Sequence, residues 1–284
     1  GGGLSFVFVF LMEFIIEGFG WRMAYVVMGL LTIAILFPII LLGYTFSPQE
    51  RGLRPIGSDE NASGASDSSS TKPVLASTEI WTRASGLRSR PLWLLFVSNM
   101  LFWGTGCYLI LAHQVKFAID IGYSPAVAAS TTAAFGLSMV IGQASSFISD
   151  YIGRETTILM AAVFASVATL ILMFLEPGSG VFPLYSFAVL FGVGAGLFAV
   201  CVFVGVADIF FGRNFGLFCG IVTGGMGFGG AFGPWLGGVL FDVTGSYHYS
   251  FVFAAGSFLI SFVCFVLAAP RRYTVMKRAQ TGSA

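Results

Sequence analysis

Long apolar stretches without a single charged residue constrain this chain more than any other feature. Seven of them have the roughly 20 residues that an α-helix needs to cross about 30 Å of hydrocarbon. They cover residues 23–44, 91–112, 124–149, 156–175, 181–207, 215–241 and 249–270, and a shorter eighth, 4–16, contains Glu13. Lipid offers the backbone no hydrogen bonds, so only helices or closed barrels span it. The alternating strands of a barrel are absent from the sequence. We therefore predict an all-α integral membrane protein with about eight transmembrane helices.

The composition excludes several classes of function. Only 10% of the residues are charged and the mean hydropathy is +0.88, whereas a soluble domain carries about 25% charged residues. The four cysteines lie within the spans and have no metal-site spacing. The sequence shows no Ser/His/Asp set and no basic patch with interleaved aromatic residues. We therefore expect a protein that is not an enzyme, needs no cofactor or metal, and does not bind nucleic acid.

The polar segments between the spans define the domain organisation. Residues 1–45 hold two spans, 46–90 form a loop rich in Ser, Gly and charge, 91–270 hold six spans, and 271–284 form a tail. Low hydrophobicity predicts a mostly disordered loop, with a short amphipathic turn near "TEIWTRASGLRSR" lying against the membrane. The abrupt opening "GGGLSF" lacks a methionine. It predicts that 1–45 are the last two helices of a truncated N-terminal half, with an artificial glycine run as the alternative.

The Lys and Arg residues predict the orientation in the membrane. If the loop 46–90 is cytoplasmic, twelve of the fourteen Lys and Arg residues lie inside, and only Arg22 and Lys116 lie outside. This distribution follows the positive-inside bias. We therefore expect a multi-pass protein of the plasma membrane, or of the inner membrane if the cell is bacterial. Its loop and C-terminal tail are cytoplasmic, its partner is the lipid bilayer, and we expect it to be monomeric.

Ten glycines within 216–238 raise the question of a nucleotide-binding loop. Residues 225–230 match the pattern G-x-G-x-x-G, but they lie within a span and no strand precedes them. Spacing by four instead brings glycines to one helix face, where another backbone can approach closely. One ladder is Gly216, Gly220 and Gly224, and the other is Gly225, Gly229, Gly233 and Gly237. Pro234 adds a kink point. This helix therefore serves either static packing or gating between two conformations.

Three motifs, taken together, resemble the major facilitator superfamily of transporters. "ISDYIGRETT" resembles its G-x-L-A-D-x-x-G-R-K signature, with matches at Asp150, Gly153 and Arg154 and departures at Ser146 and Glu155. "GGAFGPWLGGVLFDVTGSY" resembles the penultimate helix of the family, and "GWRMAYVVMG" resembles the start of its sixth helix. The resemblance covers the chain as helices five to twelve. It implies a C-terminal six-helix bundle, transport by alternating access, and a conformational clamp formed by Asp150, Gly153 and Arg154.

Two further segments resemble the monocarboxylate-carrier and oxalate/formate-antiporter branch of that superfamily. They are "EIWTRASGLRSRPLWLLF" and "LAHQVKFAIDIGYSPAVAA", and the branch implies a small organic anion as substrate and protons as the coupling ion. Such carriers typically place an arginine in helix eight, but here Gly142 takes its place, with Gln143 beside it. Two alternatives therefore stay open. They are a carrier of a neutral or cationic solute and a non-transporting receptor or scaffold on the same fold.

Most candidate substrate-binding residues lie in the seventh helix of that scheme. A stripe at α-helical spacing runs along it through Asn99, Trp103, Gly106, Ile110, His113 and Phe117. The resemblance implies that this helix lines the cavity, whereas the stripe alone fits a face that meets lipid or packs on a neighbour equally well. His113 and Lys116 share a face, and ionisable residues within a membrane are default candidates for function. Lys116 equally fits a residue that snorkels to the outer interface, and Gln143 equally fits a contact between helices. We predict substrate-binding roles for Asn99, Trp103, His113, Lys116 and Gln143, and packing or gating roles for Gly225, Gly229, Gly233, Pro234 and Gly237.

Other ionisable residues near the ends of spans carry weaker signals. Asp208 and Arg213 lie close in sequence, a spacing that fits a second ion pair beside the clamp. Glu13 fits either a buried polar contact or a position near the outer mouth. Asp120 fits the external turn between two spans.

Overall fold

The computed structural model describes residues 2–43, 81–212 and 214–268, and its regular secondary structure in these ranges is entirely helical. The chain forms two compact units, Phe10–Ser77 and the combination of Gly1–Val9 with Thr78–Ala284. Within the described ranges, seven helices are long and apolar enough to cross a membrane. The all-α membrane fold predicted from the sequence is therefore confirmed, and most side chains of the eighth expected stretch, 4–16, lie outside the described residues.

Helix α1 (Gly2–Gly43) contains both N-terminal stretches that the sequence separates. Its backbone breaks at Gly20, where φ is +79° and ψ is 163°, and glycine is the residue that adopts a positive φ at little cost. The break falls in the polar joint predicted at 17–22. Where the side chains of α1 are described, one stretch, Phe14–Leu41, has the length and hydropathy of a span. The side chain of Glu13 lies outside the described residues.

From residue 81 onward, the larger unit consists of a short helix, α2 (Arg83–Leu87), followed by six spans. The first span comprises α3 (Arg90–Asn99), a π-helical segment (Met100–Cys107) and α4 (Tyr108–Asp120). The second comprises α5 (Pro125–Ala144), a 3-10 turn (Ser145–Ile148) and α6 (Ser149–Ile152). The remaining four are single helices, α7 (Arg154–Met173), α8 (Val181–Ile209), α9 (Phe215–Thr244) and α10 (His248–Ala268).

Residues 81–90, which the sequence places at the end of the central loop, are folded onto the bundle. Thr82 caps α2, because its Oγ1 accepts a hydrogen bond from the backbone N of Ser85 over 3.2 Å. Trp81 Nε1 donates to the carbonyl of Ile209 over 2.9 Å, and Asn214 Nδ2 donates to the carbonyl of Trp81 over 3.2 Å. The short helix is thus anchored where α8 meets α9. Residues 46–80 of the predicted loop and the tail 271–284 lie outside the described residues.

Aromatic stacking and serine hydroxyls join the spans of the bundle. Phe102 of the π segment stacks on Phe198 of α8 with 3.8 Å between ring centroids, and Phe258 of α10 lies 4.9 Å from Phe102. Ser98 Oγ donates to the carbonyl of Ser261 over 2.9 Å, and Ser261 Oγ donates to the carbonyl of Ser98 over 2.7 Å. Lipid is as apolar as the side chains, so close packing and interhelical hydrogen bonds hold such helices together.

The two glycine ladders of α9 have different surroundings. A Cβ built on Gly229 would collide with the Met100 carbonyl and the Gly104 backbone, and one on Gly225 would lie 2.5 Å from the Phe96 carbonyl oxygen. This second ladder therefore brings α9 into backbone contact with the first span of the bundle. The ladder formed by Gly216, Gly220 and Gly224 is open, with no atom within 4 Å of an added Cβ.

Alanine substitutions in the two ladders should therefore change stability in opposite directions. In a helix that has free space, alanine is favoured over glycine by about 0.5–1 kcal/mol, so Gly224→Ala should leave the protein equally stable or more stable. Gly229→Ala forces a methyl group into a backbone contact, and such overpacking costs about 1–3 kcal/mol. Thermal unfolding in detergent, followed by circular dichroism, measures both. Shifts of the same sign and size would contradict the packing described here.

Candidate functional site

A cavity of about 390 Å³ lies between four of the six spans. Its wall is formed by Asn99, Trp103, Tyr108, Phe135, Met139, Ala199, Phe203 and Met226. These residues belong to the first span, α5, α8 and α9, whereas α7 and α10 pack behind them. A second cavity of about 600 Å³ shares Tyr108 and Met226 with the first and continues between α4 and α9 as far as Pro234. Both volumes suit a small organic molecule.

The π-helical segment determines which side chains of the first span reach the cavity. Hydrogen bonds from i to i+5 place more residues in each turn than an α-helix does. Asn99 and Trp103 line the cavity, but the next lining residue is Tyr108 rather than Gly106 or Ile110. Ile110 is fully buried in the core. Beyond Trp103, the stripe drawn at α-helical spacing therefore does not follow the cavity wall, because the π-helical segment shifts the register of the residues after it. The substrate-binding roles expected for Asn99, Trp103 and His113 stay predictions.

Asn99 is a buried amide with one unused acceptor. The residue is 1% exposed, and its Nδ2 donates to the carbonyl of Val222 in α9 over 2.8 Å. A carbonyl oxygen can only accept, so this bond fixes the orientation of the amide. Asn99 Oδ1 is left without a donor and out of contact with water. Leaving such a group unpaired costs about 1–3 kcal/mol.

His113 contacts α9 and is not among the residues that line either cavity. Its Nε2 lies 3.1 Å from the carbonyl oxygen of Pro234, and Nε2 is the donor because a carbonyl only accepts. A Cβ built on Gly237 would lie 2.6 Å from the same nitrogen. The glycine thus makes room for the imidazole, and His113 joins α4 to α9 beside the proline.

Lys116 lies at the exposed end of α4, where its charge is matched. Its side chain is 67% exposed, and its Nζ forms an ion pair with Asp120 one turn further on. Tyr247 lies nearby, and its pKa is raised by burial and by the negative charge of Asp120. Phe117 and Phe241 pack on Tyr247 with centroid distances of 5.6 and 4.3 Å. An aromatic cluster therefore holds α4 against α9 at this end of the bundle.

Helix α5 offers the cavity no cation. It contains no Lys or Arg, and a Cβ built on Gly142 would collide with the Val193 carbonyl of α8, so that position faces a neighbouring helix. Gln143 is half-buried and lies one turn beyond Met139, on the face of α5 that lines the cavity. It is not among the lining residues themselves.

Arg154 is the centre of an ion cluster at the opposite end of the bundle. It is the first residue of α7 and follows Gly153, which has a φ of +93°. Its Nη1 donates to Asp150 Oδ1 over 2.5 Å and to Ser149 Oγ over 3.2 Å, and its Nε donates to Asp208 Oδ2 over 3.2 Å. Asp150, Gly153 and Arg154, which are predicted to form the clamp, thus lie together, and Asp208 joins them through Arg154.

The helix dipoles favour the ion pair between Asp208 and Arg154. Asp208 lies at the C-terminal end of α8, where the dipole is negative, and Arg154 lies at the N-terminus of α7, where it is positive. Each charge is unfavourable at its own helix end, and the ion pair offsets both. Asp208 therefore pairs with Arg154, and the pairing of Asp208 with Arg213 expected from spacing stays a prediction. Arg213 lies outside the described residues.

Sequence reasoning missed most of the cavity wall. The missed residues are Tyr108, Phe135, Met139, Ala199, Phe203 and Met226. On α5 and α8 the lining residues do recur at a spacing of four, which places them on one face. Apolar residues occur on every face of these helices, however, so periodicity does not separate a face that meets a cavity from one that meets lipid.

The arrangement defines a class of protein, a multi-pass helical membrane protein with a cavity for a small molecule between its spans. A family model described as Major Facilitator Superfamily matches residues 1–204 and, in a second match, residues 120–283. The chain therefore belongs to the Major Facilitator Superfamily, a family of secondary transporters, as its motifs predict. None of the curated proteins matches the chain. The monocarboxylate branch and the truncated N-terminal half stay predictions.

The exposures of the two carboxylates in the ion cluster lead to a prediction. The side chain of Asp208 is 20% exposed and that of Asp150 is 65% exposed, whereas that of Arg154 is 19% exposed. Asp208→Asn leaves a largely buried guanidinium without its buried partner, so we expect a loss of about 1–3 kcal/mol of stability. Asp150→Asn removes a surface pair and should cost no more than about 1 kcal/mol. Thermal unfolding in detergent compares the two variants, and an equal or larger loss for Asp150→Asn would refute this order.

Proposed function

We propose that the protein is a secondary active transporter that moves a small organic solute across the plasma membrane by alternating access. The observation that carries this proposal is the cavity of about 390 Å³ between four spans of a Major Facilitator Superfamily chain. The second cavity adjoins it at Tyr108 and Met226, which supports a path for the solute along α4 and α9. The distribution of Lys and Arg supports a cytoplasmic C-terminus.

Two features of the bundle fit the conformational change that this mechanism needs. The ion cluster of Asp150, Arg154 and Asp208 joins the ends of α6, α7 and α8, so it can act as the clamp of one conformation. A coupling that exists in one state only changes the balance between states by about 1–3 kcal/mol. The contact between α9 and the first span at Gly229 is backbone against backbone. With Pro234 as a kink point, it suits helices that move against each other.

The wall of the cavity favours an uncharged solute. None of its lining residues carries a charge, and an ion that enters loses water without gaining a counter-charge. The exposed Lys116 is already paired with Asp120. The small organic anion and the proton coupling predicted from the branch resemblance therefore rest on that resemblance alone. Of the open alternatives, a neutral solute agrees best with the described residues.

Counterflow in proteoliposomes tests the function. Liposomes that contain the purified native protein are loaded with an unlabelled solute, and the transient accumulation of labelled solute from outside is measured. L-lactate and oxalate represent carboxylates, and phenyl β-D-glucoside and related aromatic glycosides represent uncharged solutes. We expect saturable counterflow for an uncharged solute. Binding without counterflow for every solute tested would instead identify a receptor or scaffold on the same fold.

Variants of His113 and Lys116 should have different effects on this transport. Lys116→Gln should change the apparent affinity by less than about twofold, because Asp120 already offsets the charge of Lys116. His113→Ala removes the bond to Pro234 and opens a gap between α4 and α9, so we expect a lower maximal rate. His113→Gln, which keeps a donor, serves as its control.

Initial uptake rates across a series of concentration, pH and salt provide the measurement. An unchanged rate, affinity and pH profile for His113→Ala would show that His113 only packs between α4 and α9 and takes no part in transport. A large loss of affinity for L-lactate in Lys116→Gln, diminished at high salt, would instead restore the organic anion as the favoured substrate.

A further inference from the structure

We propose that the cavity selects an uncharged, flat and largely apolar ring system that carries an N–H or O–H donor, and that Asn99 Oδ1 accepts the hydrogen bond from that donor. The inference rests on the proposed transport function, because it names the class of solute for the same cavity. Three observations carry it: the aromatic wall, the unpaired oxygen of Asn99, and the lack of charge among the lining residues.

Aromatic rings supply half of the residues in the wall. They are Trp103, Tyr108, Phe135 and Phe203. Trp103 and Tyr108 lie 6.0 Å apart at an interplanar angle of 59°, and Phe135 is supported from behind by Phe191 at 5.4 Å. Rings attract other rings in offset or edge-to-face geometries at centroid distances of about 4.5–7 Å. A cavity with such walls favours a flat ring over an aliphatic chain of equal size.

Asn99 supplies the polar group that fixes the orientation of the ring. Its Nδ2 donates to the carbonyl of Val222. A flip of the amide would place Oδ1 next to that carbonyl oxygen, and two acceptors cannot form a hydrogen bond. The free atom is therefore always Oδ1, which accepts and never donates. A solute donor that reaches Oδ1 satisfies an acceptor that otherwise stays buried and unpaired.

The flexible side chain of Met226 can move aside and let a solute donor reach Asn99 Oδ1. Met226 follows Val222 by one turn on the same face of α9, and it lines the cavity together with Asn99. In this conformation Oδ1 is shielded from water, so a neighbouring side chain moves aside when a donor binds. Methionine is unbranched and flexible, which makes it suited to that adjustment. Met139 lines the cavity as well and allows rings of different shape to fit.

The residues that line the cavity carry no charge, and this determines the charge of the solute. A carboxylate close to Asn99 Oδ1 would meet another acceptor and no cation, and an ammonium group would find an acceptor but no carboxylate. Buried charges need a partner, so an uncharged donor is the best match to these residues.

Indole and 1-methylindole test the assignment, because they share the same ring and the second compound carries N–CH3 in place of the N–H donor. The saturable binding of each to the purified native protein in lipid nanodiscs is measured by equilibrium dialysis. We expect indole to bind about tenfold more tightly, the effect of one matched hydrogen bond in a buried site. Asn99→Leu should bring the ratio of the two dissociation constants to about one while 1-methylindole still binds.

Gln114→Leu is the matched control. Gln114 is also a buried amide whose oxygen, Oε1, has no partner, and its Nε2 also donates to another helix, at Thr132 Oγ1. It is not among the residues that line the cavity, so Gln114→Leu should keep the tenfold ratio. If Asn99→Leu does not fold, Asn99→Met, whose side chain is more flexible, takes its place in the same comparison.

Several results would overturn the proposal. A ratio of the two dissociation constants near one in the unaltered protein would show that Asn99 Oδ1 is not the acceptor. An unchanged ratio in the folded Asn99 variant would show the same. Tighter binding of the charged compounds indole-3-acetate or tryptamine than of indole would show that the cavity does not select uncharged solutes. The measurement detects binding without transport, so these results leave alternating access untouched, whereas a failure of counterflow leaves the binding selectivity untouched.

Discussion

A backbone N–H or C=O group in hydrocarbon has no water to bond with, and the whole structure depends on this constraint. It forces each span into a helix that satisfies its own backbone groups. It also removes most of the hydrophobic drive for one helix to associate with another, so the helices associate through close contact and hydrogen bonds. The glycines of α9 at 225 and 229 provide that contact. The paired hydroxyls of Ser98 and Ser261 provide the bonds.

The same constraint explains where the cavity lies. Irregular backbone is tolerated at membrane depth where it is buried in protein or lines a cavity, and the π-helical segment Met100–Cys107 does both. On one side Gly104 meets α9, and on another Phe102 stacks on α8. The widened turns place Asn99, Trp103 and Tyr108 on the cavity wall in a register that a regular α-helix does not allow. The same segment thus sets both the packing of the first span and the register in which Trp103 and Tyr108 reach the cavity wall.

Much of the fold could be predicted from the sequence because hydropathy and helix length are tied directly to the thickness of the bilayer. The contact between Asp150 and Arg154 was predictable because the two residues lie one helical turn apart within a motif, and its action as a conformational clamp stays a prediction. The partner of Asp208 could not be predicted, because it is set by the way α7 and α8 meet in space. Tyr108 was missed because α-helical spacing along the first span does not anticipate a π turn. The sequence "WGTG" at residues 103–106 is the feature that could have raised the question.

The account depends on a cavity between the spans that solvent reaches, in a bundle whose outer face meets lipid. Thiol reactivity tests it most directly, because a thiolate forms readily only where water reaches the sulfur. Ala199 lines the cavity, whereas Val163 is 41% exposed on α7 and takes no part in the lining. Each is changed to cysteine in a variant whose four native cysteines are replaced by alanine, and the reaction with a charged methanethiosulfonate is followed in proteoliposomes. The account predicts rapid modification of Ala199→Cys and little of Val163→Cys. Equal rates, or an unreactive Ala199→Cys in the folded protein, would contradict it.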